Sequence, residues 1–238
     1  MERLDKFLSA QTTLSRRDAT AVIRRGRVTV NGVVQRDPSS KLDPDTTTVL
    51  LDGQAVTYRR YIYIMMNKPA GILCVSRDPH AQTVVDLLPE EWRARDLFPA
   101  GRLDKDTTGM VLLTDDGDYA HRMLAPKKHV PKRYLVTLYQ PVDEATCQAF
   151  ANGMTLENGD ECKPASCVPL DDNQALVTLH EGKYHQIKRM FAACGNHVEA
   201  LHRLSMGGLS LDESLASGES RLLDEQEAAS VFLCLNYE

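Results

Sequence analysis

The stretch that most restricts how this chain can fold is residues 101–117, which read Gly-Arg-Leu-Asp-Lys-Asp-Thr-Thr-Gly-Met-Val-Leu-Leu-Thr-Asp-Asp-Gly. Polar and turn-forming residues fill its first half and come directly before an apolar run. The pattern predicts a polar loop, then a buried strand over 110–114 and a helix over about 117–125. Because catalytic groups are often carried by loops on a rigid element, Asp104 and Asp106 are candidates for chemistry.

Three roles can be considered for Asp104 and Asp106 from the residues alone. A calcium-binding loop is disfavoured, because Phe98-Pro99-Ala100-Gly101 cannot form the entering helix and the last ligand would be Asp rather than Glu. A glycosidase-like pair formed by Asp104 and Asp106 is the second role, and it is disfavoured as a shared substrate centre. The third role is structural, with each aspartate capping a turn, as is usual for an isolated aspartate.

The amino-terminal residues predict a small module of two helices followed by β-hairpins. Apolar residues recur at helical spacing in two short stretches, at Leu4, Phe7 and Leu8 and at Ala19, Val22 and Ile23. Ser15 is a good N-cap residue with Asp18 at the capping-box position, and Gly26 suits the C-terminal cap. Val28-Thr29-Val30 then runs into Asn31-Gly32, a strong hairpin signal that Asp52-Gly53 repeats after another apolar run.

Charge is unevenly distributed along the chain. The whole sequence has a net charge of −5, but residues 1–36 carry +5 and the remainder −10. A basic module on an acidic body indicates that the module contacts phosphate, and a solvated charged face is the alternative. The arginines of the second helix and the turn after it are Arg16, Arg17, Arg24, Arg25 and Arg27.

The rest of the chain predicts an α+β domain on a mostly antiparallel sheet, because strands and helices are mixed without regular βαβ alternation. Strands are expected at 61–66, 134–139 and 175–180, and helices at 143–152 and 184–194, after a linker over 54–60. Six cysteines without a Cys-x-x-Cys pair, no apolar run long enough for a membrane span, and no signal-peptide pattern predict a reduced, cytoplasmic protein.

Four segments, in this order, resemble one known family. The amino-terminal module resembles the S4 RNA-binding domain. Asn67-Lys68-Pro69-Ala70-Gly71, residues 101–117, and Glu181-Gly182-Lys183-Tyr184-His185-Gln186-Ile187-Lys188-Arg189-Met190-Phe191 resemble the three motifs of the RsuA/RluB/RluE/RluF group of RNA pseudouridine synthases. The resemblance spans nearly the whole chain. It implies an S4 domain over residues 1–58 and a catalytic domain over 61–238.

The resemblance also implies roles for individual residues. Asp104 would be the catalytic carboxylate, Tyr134 would stack on the target uracil, and Lys188 would pair with Asp104, with Arg189 as the alternative partner. Arg102, Lys68, Arg189 and His185 would bind the substrate. The five arginines of the amino-terminal module would hold structured RNA.

The resemblance implies an isomerisation that needs no metal, redox cofactor or nucleotide cofactor, and the sequence shows no Gly-x-Gly-x-x-Gly, P-loop or spaced His/Cys ligands. Within the group, Tyr184–Phe191 and Gly195-Asn196-His197-Val198 are most similar to the small-subunit enzymes. This similarity implies uridine 516 of 16S ribosomal RNA, or a small-subunit assembly intermediate, as substrate. A 23S ribosomal RNA enzyme, a non-catalytic ribosome-assembly protein and a glycoside hydrolase remain alternatives, and we expect a monomer.

Overall fold

The computed structural model describes residues 1–125, 130–170 and 173–233. The chain divides into two compact units. The first consists of Met1–Ile62 together with Leu88–Leu97, and the second consists of Tyr63–Leu87 and Phe98–Glu238. The domain boundary that we place between residues 58 and 61 stays a prediction, and the structure adds that a later segment returns to the first unit.

The first unit is built from two helices, several short strands and a single turn of helix in the returning segment. Its elements are β1 (Glu2–Arg3), α1 (Leu4–Gln11), α2 (Arg16–Arg24), β2 (Val28–Val30), β3 (Val33–Gln35), β4 (Lys41–Leu42), β5 (Val49–Leu51), β6 (Gln54–Ala55) and α3 (Glu90–Arg93). The predicted N-cap is confirmed, because the Ser15 hydroxyl accepts from the Asp18 amide at 3.1 Å. Asn31 and Gly32 both have positive φ, as the predicted hairpin turn requires.

The core of the first unit is the apolar face that the helical spacing predicts. Leu4, Phe7 and Leu8 of α1 are buried with Ala19 and Ile23 of α2. The predicted linker over 54–60 is partly wrong, because Gln54–Ala55 pairs with Leu50–Leu51 as β6. The returning segment is held by Arg95, whose guanidinium donates to the carbonyls of Ala10, Arg59 and Arg60 at 2.8–3.3 Å.

The second unit consists of one large sheet with helices packed on it and a separate two-stranded sheet of Met154–Thr155 and Glu161–Cys162, which confirms the predicted α+β class. Its elements are β7 (Tyr63–Lys68), β8 (Phe98–Pro99), β9 (Thr108–Thr114), α4 (Gly117–Leu124), β10 (Lys132–Leu138), α5 (Glu144–Asn152), β11 (Met154–Thr155), β12 (Glu161–Cys162), β13 (Ser166–Pro169), β14 (Gln174–Leu179), α6 (Gln186–Ala193), β15 (Val198–Met206), β16 (Leu209–Ser210), β17 (Ser220–Leu222) and α7 (Glu225–Ser230). The strand order is β13-β14-β10-β15-β9-β7-β17, with β16 on β15 and β8 on β9.

The centre of the sheet differs from the prediction, because the nine-residue strand β15 lies between β10 and β9. It runs antiparallel to β10 but parallel to β9. Gly109 of β9 has a φ of +96°, and a Cβ there would lie 2.4 Å from the Arg203 carbonyl oxygen. Only glycine allows this approach. Gly109 therefore lets β9, the strand that follows the candidate loop, pack closely against β15 in the middle of the sheet.

Candidate active site

The candidate loop lies between β8 and β9 and is supported from beneath by Lys68. The Thr107 amide donates to the Asp104 carbonyl at 3.2 Å, which closes a turn. The Lys68 ammonium is fully buried and donates to the carbonyls of Pro69, Lys105 and Thr107 at 2.9, 3.1 and 2.9 Å. Burial lowers the pKa of Lys68. Our expectation that Lys68 binds substrate is corrected, since its ammonium holds loop backbone and has no exposed surface.

Asp104 lies at the wall of a cavity, with 27% of its side chain exposed. The Nε2 atom of His185 is 3.5 Å from its Oδ1 atom, so the two side chains form an ion pair when the imidazole is protonated. The backbone of His185 is left-handed, with φ of 49°, immediately before α6 begins at Gln186. The predicted start of this helix near Tyr184 is therefore two residues too early.

The pairing that we expected for Lys188 is wrong. Its ammonium lies 2.6 Å from both carboxylate oxygens of Asp106, not of Asp104. The hydrogen bond from Lys188 lowers the pKa of Asp106. The physical reason is that the chain turns at residues 105–106, so the two aspartates do not lie along one extended strand. Asp106 is the more exposed of the two, at 72% against 27% for Asp104, and Lys188 in the first turn of α6 reaches it.

Arg189 does not reach Asp104 either. Its guanidinium donates to Asp160 at 2.9 Å and to Asn158, and also to the Tyr184 carbonyl at 3.2 Å. The hydrogen bonds from Asn158 and Arg189 lower the pKa of Asp160. Arg189 thus fastens the segment before α6 to the turn between β11 and β12, and its expected direct contact with substrate is not supported by this geometry.

The cavity beside Asp104 has a volume of about 420 Å³, within the usual range for small-molecule sites of roughly 300–1,000 Å³. Of the residues predicted for catalysis or substrate binding, it is lined by Arg102, Asp104, Tyr134 and His185. Tyr134 of β10 is buried, and its side chain forms part of the wall. Leu179, Ile187 and Leu201 also line it. A flat ring can therefore be held between apolar side chains with a carboxylate at one side.

Lys132 is a lining residue that our prediction did not include. It lies two residues before Tyr134 on β10 and shares its face of the strand. Burial, together with the nearby charge of Arg203, lowers the pKa of Lys132 to about 8, and Glu181 opposes this shift. Its ammonium donates to the Val130 carbonyl at 3.1 Å. A lysine two positions before a wall-forming tyrosine is the signal that could have identified it.

The rim of the cavity is ordered by a network around Gln186. Its amide oxygen accepts from the Lys183 backbone N–H at 3.0 Å, and its amide nitrogen donates to Glu181 at 2.8 Å. Glu181 also accepts from the Lys163 N–H at 2.9 Å. Glu181, Lys183 and Gln186 line the cavity, and none was among our predicted site residues.

The predicted RNA-binding arginines of the first unit lie on its surface. Arg17 and Arg24, seven residues apart on α2, are exposed on the side away from its buried stripe. Arg25 is also exposed. Arg16 lies 3.7 Å from the buried Asp5, and Arg27 forms a bidentate pair with Asp52. The charges of Arg17, Arg24 and Arg25 are therefore more accessible to a phosphate than those of Arg16 and Arg27.

Across the part of the chain that the structure describes, no cluster of His, Cys, Asp or Glu has the geometry of a metal site. Within the same residues, none of the helices is both long and apolar enough to cross a lipid bilayer.

Comparison with known proteins identifies the family of the chain. Residues 62–193 match the family described as RNA pseudouridylate synthase, and residues 2–47 match the S4 domain. The ribosomal small subunit pseudouridine synthase A of Escherichia coli strain K12 is 47% identical over 96% of this chain and 99% of its own length. The uncharacterized RNA pseudouridine synthase YtzG of Bacillus subtilis strain 168 is 48% identical over 94% and 96%.

A solved structure described as a pseudouridylate synthase is 40% identical and covers 97% of this chain and all of its own, with a TM-score of 0.69. The predicted family is therefore confirmed by sequence and by fold. The chain belongs to the RNA pseudouridine synthases, isomerases that act on RNA, and carries an S4 domain ahead of its catalytic domain.

Proposed function

We propose that this enzyme isomerises one uridine of 16S ribosomal RNA, corresponding to uridine 516, with Asp104 as its catalytic carboxylate. The observation that carries the proposal is the cavity whose lining includes both Asp104 and Tyr134. The reaction breaks the N1–C1′ bond of uridine, turns the uracil and forms a C5–C1′ bond. The proton lost from C5 is balanced by one gained at N1, so nothing is oxidised or reduced.

Asp104 supplies the negative charge that this reaction needs at C1′. A carboxylate can attack the sugar or base, or stabilise a cationic sugar while the uracil is detached. The turn that Thr107 closes and the buried Lys68 fix the loop backbone, so Asp104 is positioned before RNA arrives. Tyr134 provides a face for the uracil, which must first leave its stack in the RNA. Arg102 at the rim provides a cation for the flipped nucleotide's phosphate.

Lys188 acts in this proposal through Asp106. Their ion pair joins the first turn of α6 to the loop two residues beyond Asp104. It therefore helps to hold the loop shape, and we assign Lys188 a positioning role rather than the direct contact that we first expected.

The experiment that tests Asp104 compares two carboxylates in one loop. Asp104→Asn and Asp104→Ala are expected to abolish pseudouridine formation while RNA affinity stays nearly unchanged. Asp106→Asn, the matched control, removes a charge two residues away and is expected to retain measurable turnover. Product is measured by chemical mapping of pseudouridine after incubation with ribosomal RNA. Substantial turnover by Asp104→Asn would contradict the mechanism.

The choice of 16S ribosomal RNA rests on relatives that bear the name ribosomal small subunit pseudouridine synthase A, at 44–47% identity over nearly the whole chain. Small-subunit particles and 23S ribosomal RNA, both from cells lacking the corresponding enzyme, should be incubated with the purified protein. Modification at uridine 516 alone is expected. Modification only in 23S ribosomal RNA would show that the large-subunit RNA is the substrate instead. Binding without product would favour a non-catalytic assembly factor.

We further propose that the enzyme works in the cytoplasm as a monomer. The lining residues among those that the structure describes belong to one compact unit of one chain, which supports a cavity formed without a second copy. Size-exclusion chromatography with light scattering at the assay concentration checks the monomer, and turnover that falls with dilution of the enzyme would argue for an oligomer.

A further inference from the structure

Two aromatic rings are stacked at the outer edge of the cavity. The rings of Tyr184 and His185 have centroids 3.8 Å apart and planes 18° apart. His185 lines the cavity, whereas Tyr184 is not among its lining residues and is 74% exposed. Because one face of the Tyr184 ring is covered by His185, its exposure must come largely from the opposite face and the edges. A large flat surface is thus left open to water beside the catalytic carboxylate.

The segment that carries these rings is held on both sides. Arg189, itself bound to Asp160, donates to the Tyr184 carbonyl at 3.2 Å. On the other side, Gln186 binds the Lys183 N–H at 3.0 Å. His185 is fixed in a left-handed backbone conformation between them and reaches Asp104 with its Nε2 atom. The stacked pair is therefore ordered in advance, which reduces the entropy that a bound ring would lose.

A nucleobase is the chemistry that fits this surface. When a target base turns out of its stack, its neighbours in the RNA lose a stacking partner. Aromatic side chains replace such partners, with about 1–3 kcal/mol per stacked base and little dependence on sequence. Lys183 precedes the pair and Arg102 lies on the cavity rim, so cations for the adjoining phosphates are close by.

We propose that Tyr184 and His185 form a stacking platform that holds a nucleobase next to the target uridine while the target occupies the cavity. The platform rests on the proposed function, since it needs an RNA substrate at Asp104. It gives a role to an exposed tyrosine that is stacked on the histidine whose Nε2 atom lies 3.5 Å from Asp104.

The test uses a 16S ribosomal RNA fragment around the proposed target, in two forms. 2-Aminopurine replaces the base on the 5′ side of the target in one and on the 3′ side in the other. Binding is measured in the Asp104→Asn background, so that no turnover occurs. One of the two fluorophores is expected to be quenched by stacking, and Tyr184→Ala should remove the quenching and raise Kd about 5- to 150-fold. Tyr184→Phe keeps the aromatic ring and should show the same quenching and the same Kd as the Asp104→Asn parent.

Tyr139 provides the matched control. It is 66% exposed after the end of β10 and is not among the cavity-lining residues, so Tyr139→Ala should leave both signals unchanged. Unaltered Kd and quenching in Tyr184→Ala would overturn the platform. Quenching at neither position by the Asp104→Asn parent would overturn it as well. Failure of the proposed function is distinguishable, because the protein with Asp104 intact would then form no pseudouridine in the same RNA.

Discussion

Replacing Lys68 with methionine tests whether a buried ammonium holds the candidate loop that carries Asp104. The change keeps most of the side-chain volume but removes the donor shared by the carbonyls of Pro69, Lys105 and Thr107. Hydrogen bonds to charged groups contribute about 1.5–3 kcal/mol each, and the desolvation cost of the ammonium offsets part of their sum. We expect the free energy of unfolding to fall by about 3–5 kcal/mol, because each buried carbonyl left without a donor costs about 1–3 kcal/mol.

The assay is thermal and urea unfolding followed by circular dichroism, together with turnover at saturating RNA. At roughly 2–4 °C per kcal/mol for a domain of this size, the melting temperature should fall by about 10 °C. Lys105→Met is the matched control, because its side chain is exposed in the same loop and the Lys105 carbonyl is unchanged. If Lys68→Met and Lys105→Met differ by less than about 1 kcal/mol, the assigned role of Lys68 is refuted.

Three further changes test other parts of the structure. Gly109→Ala should cost several kcal/mol in urea unfolding, because its Cβ would lie 2.4 Å from the Arg203 carbonyl and its φ is +96°; a loss within about 0.5 kcal/mol would contradict the close approach. The pKa of Lys132 is lowered to about 8 from 10.5, so the unfolded chain binds the additional proton between these values. The stability of the unchanged protein relative to Lys132→Met should therefore rise from pH 8 to 10.5 in urea titrations, and a constant difference would contradict the shift. Replacing Arg24 and Arg25 with alanine should weaken RNA binding and flatten its salt dependence, whereas unchanged affinity would remove these arginines from recognition.

Elements with a regular apolar period were predictable from the sequence, and the central strand was not. The structure has the predicted buried apolar faces of α1 and α2 and the predicted polar loop before β9. Strand β15 was missed because polar residues interrupt its apolar pattern. Its Arg203 is fully buried and donates to the Met110 carbonyl at 2.7 Å, a partner 93 residues away that no local pattern reveals.

The same limit applies to the candidate site. Motif order located Asp104, Tyr134 and the segment before α6, because these residues are close to strand or helix ends with clear signals. The choice between Asp104 and Asp106 as partner of Lys188 depends on which way each side chain leaves the loop. Lysine side chains are usually exposed, so the sequence alone does not predict that Lys68 is buried. Its burial depends on carbonyl groups from a loop that is distant in the sequence.

The return of Leu88–Leu97 to the first unit has a consequence for synthesis of the chain. Its Arg95 donates to carbonyls at the end of α1 and after β6. Ribosomes deliver the chain from its amino terminus at about 5–20 residues per second, and domains commonly fold as they emerge. Here the amino-terminal unit is incomplete when residue 62 emerges and gains its last part only after residue 97. Its maturation is therefore coupled to translation of the first strand of the catalytic unit, and deleting residues 1–62 would leave that segment without its carbonyl acceptors.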